Sequence, residues 1–437
     1  MRVGVRLLLL SSSESSFRLE YNLLNLEASL ARYAELIVVH GLNVQPDQLV
    51  NIATEAAHRD FAVLVAEQCY QHGAKHVNLE LSDPRLLKVR IDGSSEESLS
   101  YVSPSFTMAY DEMVDEQGAN LKLIGMEDPD VYEEVDPSKL NKVQQSRMLA
   151  QKRFRDEGIM KSGVQWCVAA AATPKWGKQI FPDLDEAAAG ARLWEEILKI
   201  CRADKENCLQ LWHEHNDALH KRAAMLTELK VRELHFTGPG TDLTVGLSEK
   251  AIFMGGQSEC ARGVPFEPNL PTEEVFTTPD YRSTNGHARV TRPFMIFGRM
   301  IRDLTLVFED GVITEFDASE GADIFKEYIG TDEGAMRLGE VALVGVDSPI
   351  FESGLVFNEI LFDENAACHI AVGKAYRFCI EDGETMSEDV AASIGCNDSV
   401  VHTDMMISSE EVSVTASTFG GDEVPIIVNG VWSSNYR

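Results

Sequence analysis

The pattern of the chain changes near Leu226, and that change limits the available folds more than any other feature. Upstream, RVGVRLLLL and AELIVVHGL are short apolar runs rich in Val, Ile and Leu, which read as buried strands. LVNIATEAAHRDFAVLVAEQCYQHGA has helical spacing with a stop at Gly73, and KHVNLELSD reads as the next strand. Strand, helix, strand in this order predicts parallel strands joined by helical crossovers. SKLNKVQQSRMLAQKRFRDEG then reads as a long polar helix, VQWCVAAAATP as a buried strand entering a loop, and DEAAAGARLWEEILKICRAD as a helix. HNDALHKRAAMLTELK is the linking helix. Beyond it, VRELHFTGPGTDLTVGL reads as strand, Gly-Pro-Gly turn, strand, and HARVTRPF, LTLVFEDGVITEF and EVPIIVNGVW continue in that style with Asp-Gly and Asn-Gly hairpin signals. The expectation is an α/β N-terminal domain over 1–225 and a strand-rich α+β C-terminal domain over 226–437. Two domains also suit 437 residues, more than one hydrophobic core usually serves.

Composition excludes several classes. A 44% hydrophobic and 25% charged chain is ordinary for a soluble globular protein and argues against disorder. The net charge of −31, from 70 acidic and 39 basic residues, repels phosphate backbones, so no nucleic-acid partner is expected. The same carboxylates can bind metals. No apolar stretch is long enough to span a membrane. MRVGVRLLLL is too short, and SSSESS too unlike a cleavage site, for a signal peptide. Eight cysteines without a C-x-x-C pair read as reduced thiols, which predicts a cytoplasmic location.

Several motifs are near misses. GPGTDL lacks the third glycine of a dinucleotide fingerprint and precedes a strand. No Walker loop or G-x-S-x-G elbow is present. In HEHND, His213 and His215 point to different faces of a helix, so the segment reads as partly exposed helix surface.

Other segments carry chemistry. His402 and Asp404 in SVVHTDMMI are two apart in a stretch of strand composition, so they share a face. Such a pair can ligate Zn, Co or Mn, although an exposed polar strand face would look the same. NEILFDENAACHIAVGKAYRF holds Glu364, His369 and Tyr376. His369 and Tyr376 lie two turns apart on one face if the segment is helical. A His among small apolar residues needs a partner, either an ion or a backbone carbonyl. Glu340 precedes the buried run of RLGEVALVG and must be paired, solvated or metal-bound. Glu273 and Glu274 lie between an X-Pro turn and a strand, where a charged strand edge is the other reading.

HFTGPGTDLTVGL, NLPTEEVFTTPDYRSTNGHARVTRPF, RLGEVALVG, LFDENAACHIAVGKAY and NDSVVHTDMMI occur in that order between about Leu234 and Ile407. Together they resemble the thermophilic-type metalloaminopeptidases, the aminopeptidase T and aminopeptidase S family. The first half shares mainly the α/β layout. The resemblance implies a catalytic C-terminal domain, an N-terminal domain that helps form a homodimer around an internal cavity, and two divalent ions (Zn, Co or Mn, with Mg possible). It implies the ligands Glu274 (or Glu273), Glu340 as a shared carboxylate, Glu364, His369, His402 and Asp404. Glu364 would be the general base and acid or a ligand, and Tyr376 would hydrogen-bond the oxyanion. The implied reaction is hydrolysis of the N-terminal peptide bond of peptides with a free N-terminus, by a water that the two ions activate. A two-metal phosphoesterase is the alternative. It would need Arg or Lys at the metals, and Arg282, Arg289 and Arg292 lie near the first Glu motif. A non-catalytic metal-binding module is the third reading.

Overall fold

Short aliphatic segments of the first half build four strands of a five-stranded parallel sheet. Its order is His76–Ser82, Leu49–Glu55, Ala119–Ile124, Gln165–Ala170 and Asn269–Leu270. The structure is a computed structural model that describes residues 13–436, with side chains from Asn25 onward. Helix Arg59–Gln71 connects the first two strands in sequence, and helices Pro84–Gly93, Pro104–Asp115 and Pro137–Ala150 lie in the later crossovers. Val50, Ile52, Leu121 and Ala169 of the strands bury against Phe61, Val65, Leu193, Ile197 and Trp212 of the helices. Burying such side chains contributes about 1.5–3 kcal/mol each.

Two expectations for this half are corrected. AELIVVHGL is not a strand: helix Ser13–Leu36 continues directly into a π-helical turn, Ile37–Gly41. Its Ile37 and Val38 are buried in the same core, so tertiary packing overrides their β propensity. LVNIATE is not the start of a helix but an inner strand, Leu49–Glu55, and the helix begins only at Arg59. The first apolar run, RVGVRLLLL, lies outside the described residues. The long polar helix ends at Ala150 and is followed by a π-helical turn, Phe154–Ile159.

The second half forms two antiparallel sheets. One has eight strands, ordered Val312–Asp317, Thr305–Glu309, Pro279–Arg289, Thr241–Leu247, Val231–Gly238, Ser413–Thr418, Glu423–Val428 and Val431–Trp432. The Asp-Gly and Asn-Gly signals close hairpins as expected. Asp310 and Gly311 have φ of 48° and 81°, and Asn429 and Gly430 have 50° and 75°. These left-handed pairs match the right-handed strand twist.

The other sheet has four strands, ordered Val275–Thr277, Leu338–Leu343, His369–Gly373 and His402–Met406. Val341, Leu343, Ile370 and Val372 on one of its faces share a core with Phe236, Val245, Leu306 and Phe308 of the eight-stranded sheet.

The α/β first half and strand-rich second half are thus as expected, and they interlock. Asn269–Leu270 supplies the last strand of the parallel sheet. Ile350, Phe357, Leu361 and Phe362 bury in the first-half core, where Trp176 Nε1 donates to Phe357 O at 2.7 Å. Among the described residues no helix is long and apolar enough to cross a membrane.

Candidate metal centre

The four-stranded sheet places its chemistry by register. Glu340, Ala371 and Asp404 face one another across three strands, and the next row is Phe276, Ala342, His369 and Met406. Paired residues share a face, so Glu340, His369, His402 and Asp404 all project from the side opposite Val341 and Ile370. Ala342 and Ala371 stand between them and leave room above the sheet. Glu274 joins from the residue before strand Val275–Thr277, and Glu364 from a 3₁₀ turn, Glu364–Ala366. The expectation of a helical face for His369 and Tyr376 is corrected: His369 opens a strand, and Tyr376 lies beyond its end.

Among the described residues two groups form, Glu274, Glu340 and His369, and Glu340, His402 and Asp404, and within each the donor atoms lie within 4.8 Å of one another. Glu340 is common to both. His369 Nε2 is 3.0 Å from Glu274 Oε2 and 3.9 Å from Asp404 Oδ1. His402 Nε2 is 3.2 Å from Glu340 Oε2 and 3.6 Å from Asp404 Oδ1. Glu364 belongs to neither group but lines the same cavity, where Asn365 Nδ2 lies 3.4 Å from its Oε1. Tyr376 Oη is 3.4 Å from His402 Nε2.

These residues fit a cation. Nδ1 of His402 donates to Lys374 O at 2.7 Å, and Nδ1 of His369 faces Ala367 O at 3.3 Å. Each Nε2 is therefore turned toward carboxylates, the arrangement in which outer-shell carbonyls orient ligating imidazoles. Glu274 Oε2 is buried and makes no hydrogen bond, although charge attraction draws it toward His369.

The protein's own charges show the same demand for positive charge. Burial opposes a charged His369, but the Glu274 carboxylate outweighs it and pushes the imidazole up to about 9. Burial pushes Glu340 up to about 7. Burial, then Asp404 and Glu274, hold Glu364 well above the usual carboxylate range. Burial opposes ionisation of Asp404 too, but His402 and His369 hold it below its usual value. A divalent ion would displace the shared protons, so loading would release protons and strengthen as pH rises.

Between Glu273 and Glu274 the geometry discriminates. Glu273 turns away, with Oε1 2.9 Å from Arg202 Nη2. Neither Arg202 nor His215 stood out in the sequence for this contact, because their partners lie 71 and 57 residues away. His213 packs edge-on against His40 and takes no part. Cys368 is buried on the core side, its Sγ 3.3 Å from Val344 O, and does not face the cavity.

The cavity above the sheet is about 520 Å³ and is walled by Trp166, Phe266, Phe276 and Phe378. Among the described residues no Lys or Arg lines it. The sequence profile of the thermophilic metalloprotease (M29) family matches residues 26–432. The chain belongs to this family. M29 relatives match it almost end to end. Aminopeptidase 2 of Geobacillus stearothermophilus is 38% identical, covering 93% of this chain and 98% of its own length. Aminopeptidase T of Thermus aquaticus is also 38% identical, covering 92% and 98%. The structure of wild-type AmpT from Thermus thermophilus superposes with a TM-score of 0.86 at 36% identity, covering 93% of this chain and 99% of that one. As an M29 member the chain is a metal-dependent hydrolase of peptide bonds.

Proposed function

We propose that this M29 enzyme is an aminopeptidase that works with two divalent ions, which the two donor groups sharing Glu340 would hold. The observation that carries this reading is the pair of donor groups sharing one buried carboxylate on the floor of a cavity. When bound, such ions acidify a water and polarise the scissile carbonyl. Imidazole ligands favour Zn, Co or Mn over Mg. Glu364 takes the proton from the attacking water and delivers it to the leaving amine. Glu259, Asp382 and Glu384 also line the cavity, and none makes an ion pair among the described residues. A wall of carboxylates without cations suits a substrate's free α-ammonium and repels phosphate esters. Arg282, Arg289 and Arg292 instead pair with Asp280, Asp303 and Asp363, which leaves a phosphoesterase without its cationic groups.

The test is to chelate the purified protein, restore Zn, Co or Mn, and assay an aminoacyl-nitroanilide beside its N-acetylated form. Activity should vanish, return with metal, and be confined to the free amine. Full activity with no detectable bound metal would sink the metal reading, and equal cleavage of the acetylated substrate would sink the exopeptidase reading.

Tyr376 is the oxyanion donor in this scheme. Burial, then Glu340, keep its phenol protonated far above neutral pH. Its ring is stacked on Phe378 with centroids 5.1 Å apart, which fixes the hydroxyl. Tyr376→Phe should keep the metals and lower kcat by roughly ten- to a thousandfold, the range for one lost oxyanion donor. A variant with wild-type kcat would remove Tyr376 from the mechanism.

Assembly as a cytoplasmic homodimer belongs to the same reading. Leu86, Val89 and Met108, exposed by 69%, 67% and 68% on the first-half helices, supply apolar surface for a second copy.

A further inference from the structure

Glu273 and Glu274 are adjacent carboxylates with opposite fates, and the cause lies in the first half of the chain. Arg202 Nη2 is 2.9 Å from Glu273 Oε1, and His215 Nε2 is 3.4 Å from Oε2. His215 Nε2 also lies 2.8 Å from Thr272 O, and Arg202 Nη2 is 3.4 Å from His215 Nδ1. These partners fix one tautomer: Nε2–H donates to the carbonyl, and Nδ1 accepts from the guanidinium. The guanidinium is itself seated over the Trp212 ring, 5.0 Å from its centroid. The backbone is held as well, because Glu273 N donates to Asn365 Oδ1 at 2.7 Å. Residue 273 is thus fixed by side chain, by backbone and through the preceding carbonyl. The next side chain, Glu274, points the other way and lies 3.0 Å from His369 Nε2.

The geometry points to Arg202, with His215, as a positioning clamp that holds Glu273 out of the metal centre and presents Glu274 to it. It rests on the two-ion reading given above. The clamp acts on only one of the two donor groups, because Glu274 belongs only to the group with His369. That asymmetry separates positioning from general stability. Without Arg202, Glu273 becomes a poorly compensated carboxylate beside Glu274, free to swing and compete with it.

The experiment titrates zinc into chelated protein by calorimetry and follows thermal unfolding of the same metal-free samples. In wild-type protein two binding steps are expected, and their absence would count against the two-ion reading itself. Arg202→Met should weaken one step by about ten- to a hundredfold, the range for outer-shell partners, and leave the other within about threefold. Arg202→Lys, which keeps the charge, should restore most of the loss. Glu273→Gln should cost less than about tenfold, and Glu274→Gln far more, in that same step. The clamp is overturned if Arg202→Met binds zinc like wild-type, or if both steps weaken together with a lowered unfolding temperature. It is also overturned if Glu273→Gln is as damaging as Glu274→Gln, which would make Glu273 the ligand. Should Arg202→Met not fold, the Glu273 and Glu274 pair decides by the same criteria.

Discussion

Glu364→Gln is expected to lower kcat by about 10²- to 10⁴-fold, the usual contribution of a positioned general acid–base, while metal content stays near that of the wild-type enzyme. The expectation rests on position. Glu364 lines the cavity beside the donor groups but belongs to neither. Its carboxylate is buried, and the surrounding carboxylates raise its proton affinity while Asn365 Nδ2 approaches Oε1. Bound cations pull in the other direction, so the group lies between two opposing influences, as a proton carrier must. The amide of Gln keeps shape and volume but cannot accept and return a proton. Metal content and kcat should be measured on one preparation. Metal lost in proportion to rate would make Glu364 a ligand, and the proton carrier would have to be sought elsewhere.

Glu340→Gln should have the larger effect: loss of tight binding at both donor groups and turnover at background. Each group would be left with two full-strength donors, Glu274 and His369 in one and His402 and Asp404 in the other. An amide carries no charge to offset two divalent ions, and losing a ligand should exceed the roughly 10- to 100-fold loss seen for outer-shell partners. Removing a charge that burial already disfavours should not unfold the strand. By contrast, Asp404→Asn should weaken mainly the group with His402. Elemental analysis after dialysis, with calorimetry, checks this. One metal retained at wild-type affinity in Glu340→Gln would end the shared-carboxylate assignment.

Where the sequence spoke clearly, the signal was local. An Asp-Gly or Asn-Gly pair needs only its own backbone to specify a tight hairpin, and His402 and Asp404 need only the two-residue period of their strand. Where it misled, the deciding contact was distant. His369–Gly373 is buried on both faces, so no alternation of polar and apolar residues reveals its strand period, and a spacing of seven suggested a helix instead. Ile37 and Val38 look like strand residues, but they are buried on a π-helical turn that packs against the parallel sheet without joining it. The choice between Glu273 and Glu274 depends on Arg202, His215 and Asn365, which nothing in the TEEV segment announces.

The strand Asn269–Leu270 has a consequence for exchanging parts between relatives. Val168 N donates to Pro268 O at 2.7 Å, so the parallel sheet ends on a strand that enters after the hairpin Val231–Leu247 and leads within four residues to Glu274. A chimera joined near residue 225 would bring an outer strand and its inner neighbour from different parents, at the same place where a carboxylate of one parent must meet an arginine of the other. Moving the junction to a point after Glu274 would keep that strand with its neighbour and the carboxylate with its arginine, and crossovers that keep 202–274 in one piece should yield folded, metal-loaded hybrids far more often than a single cut at the linking helix.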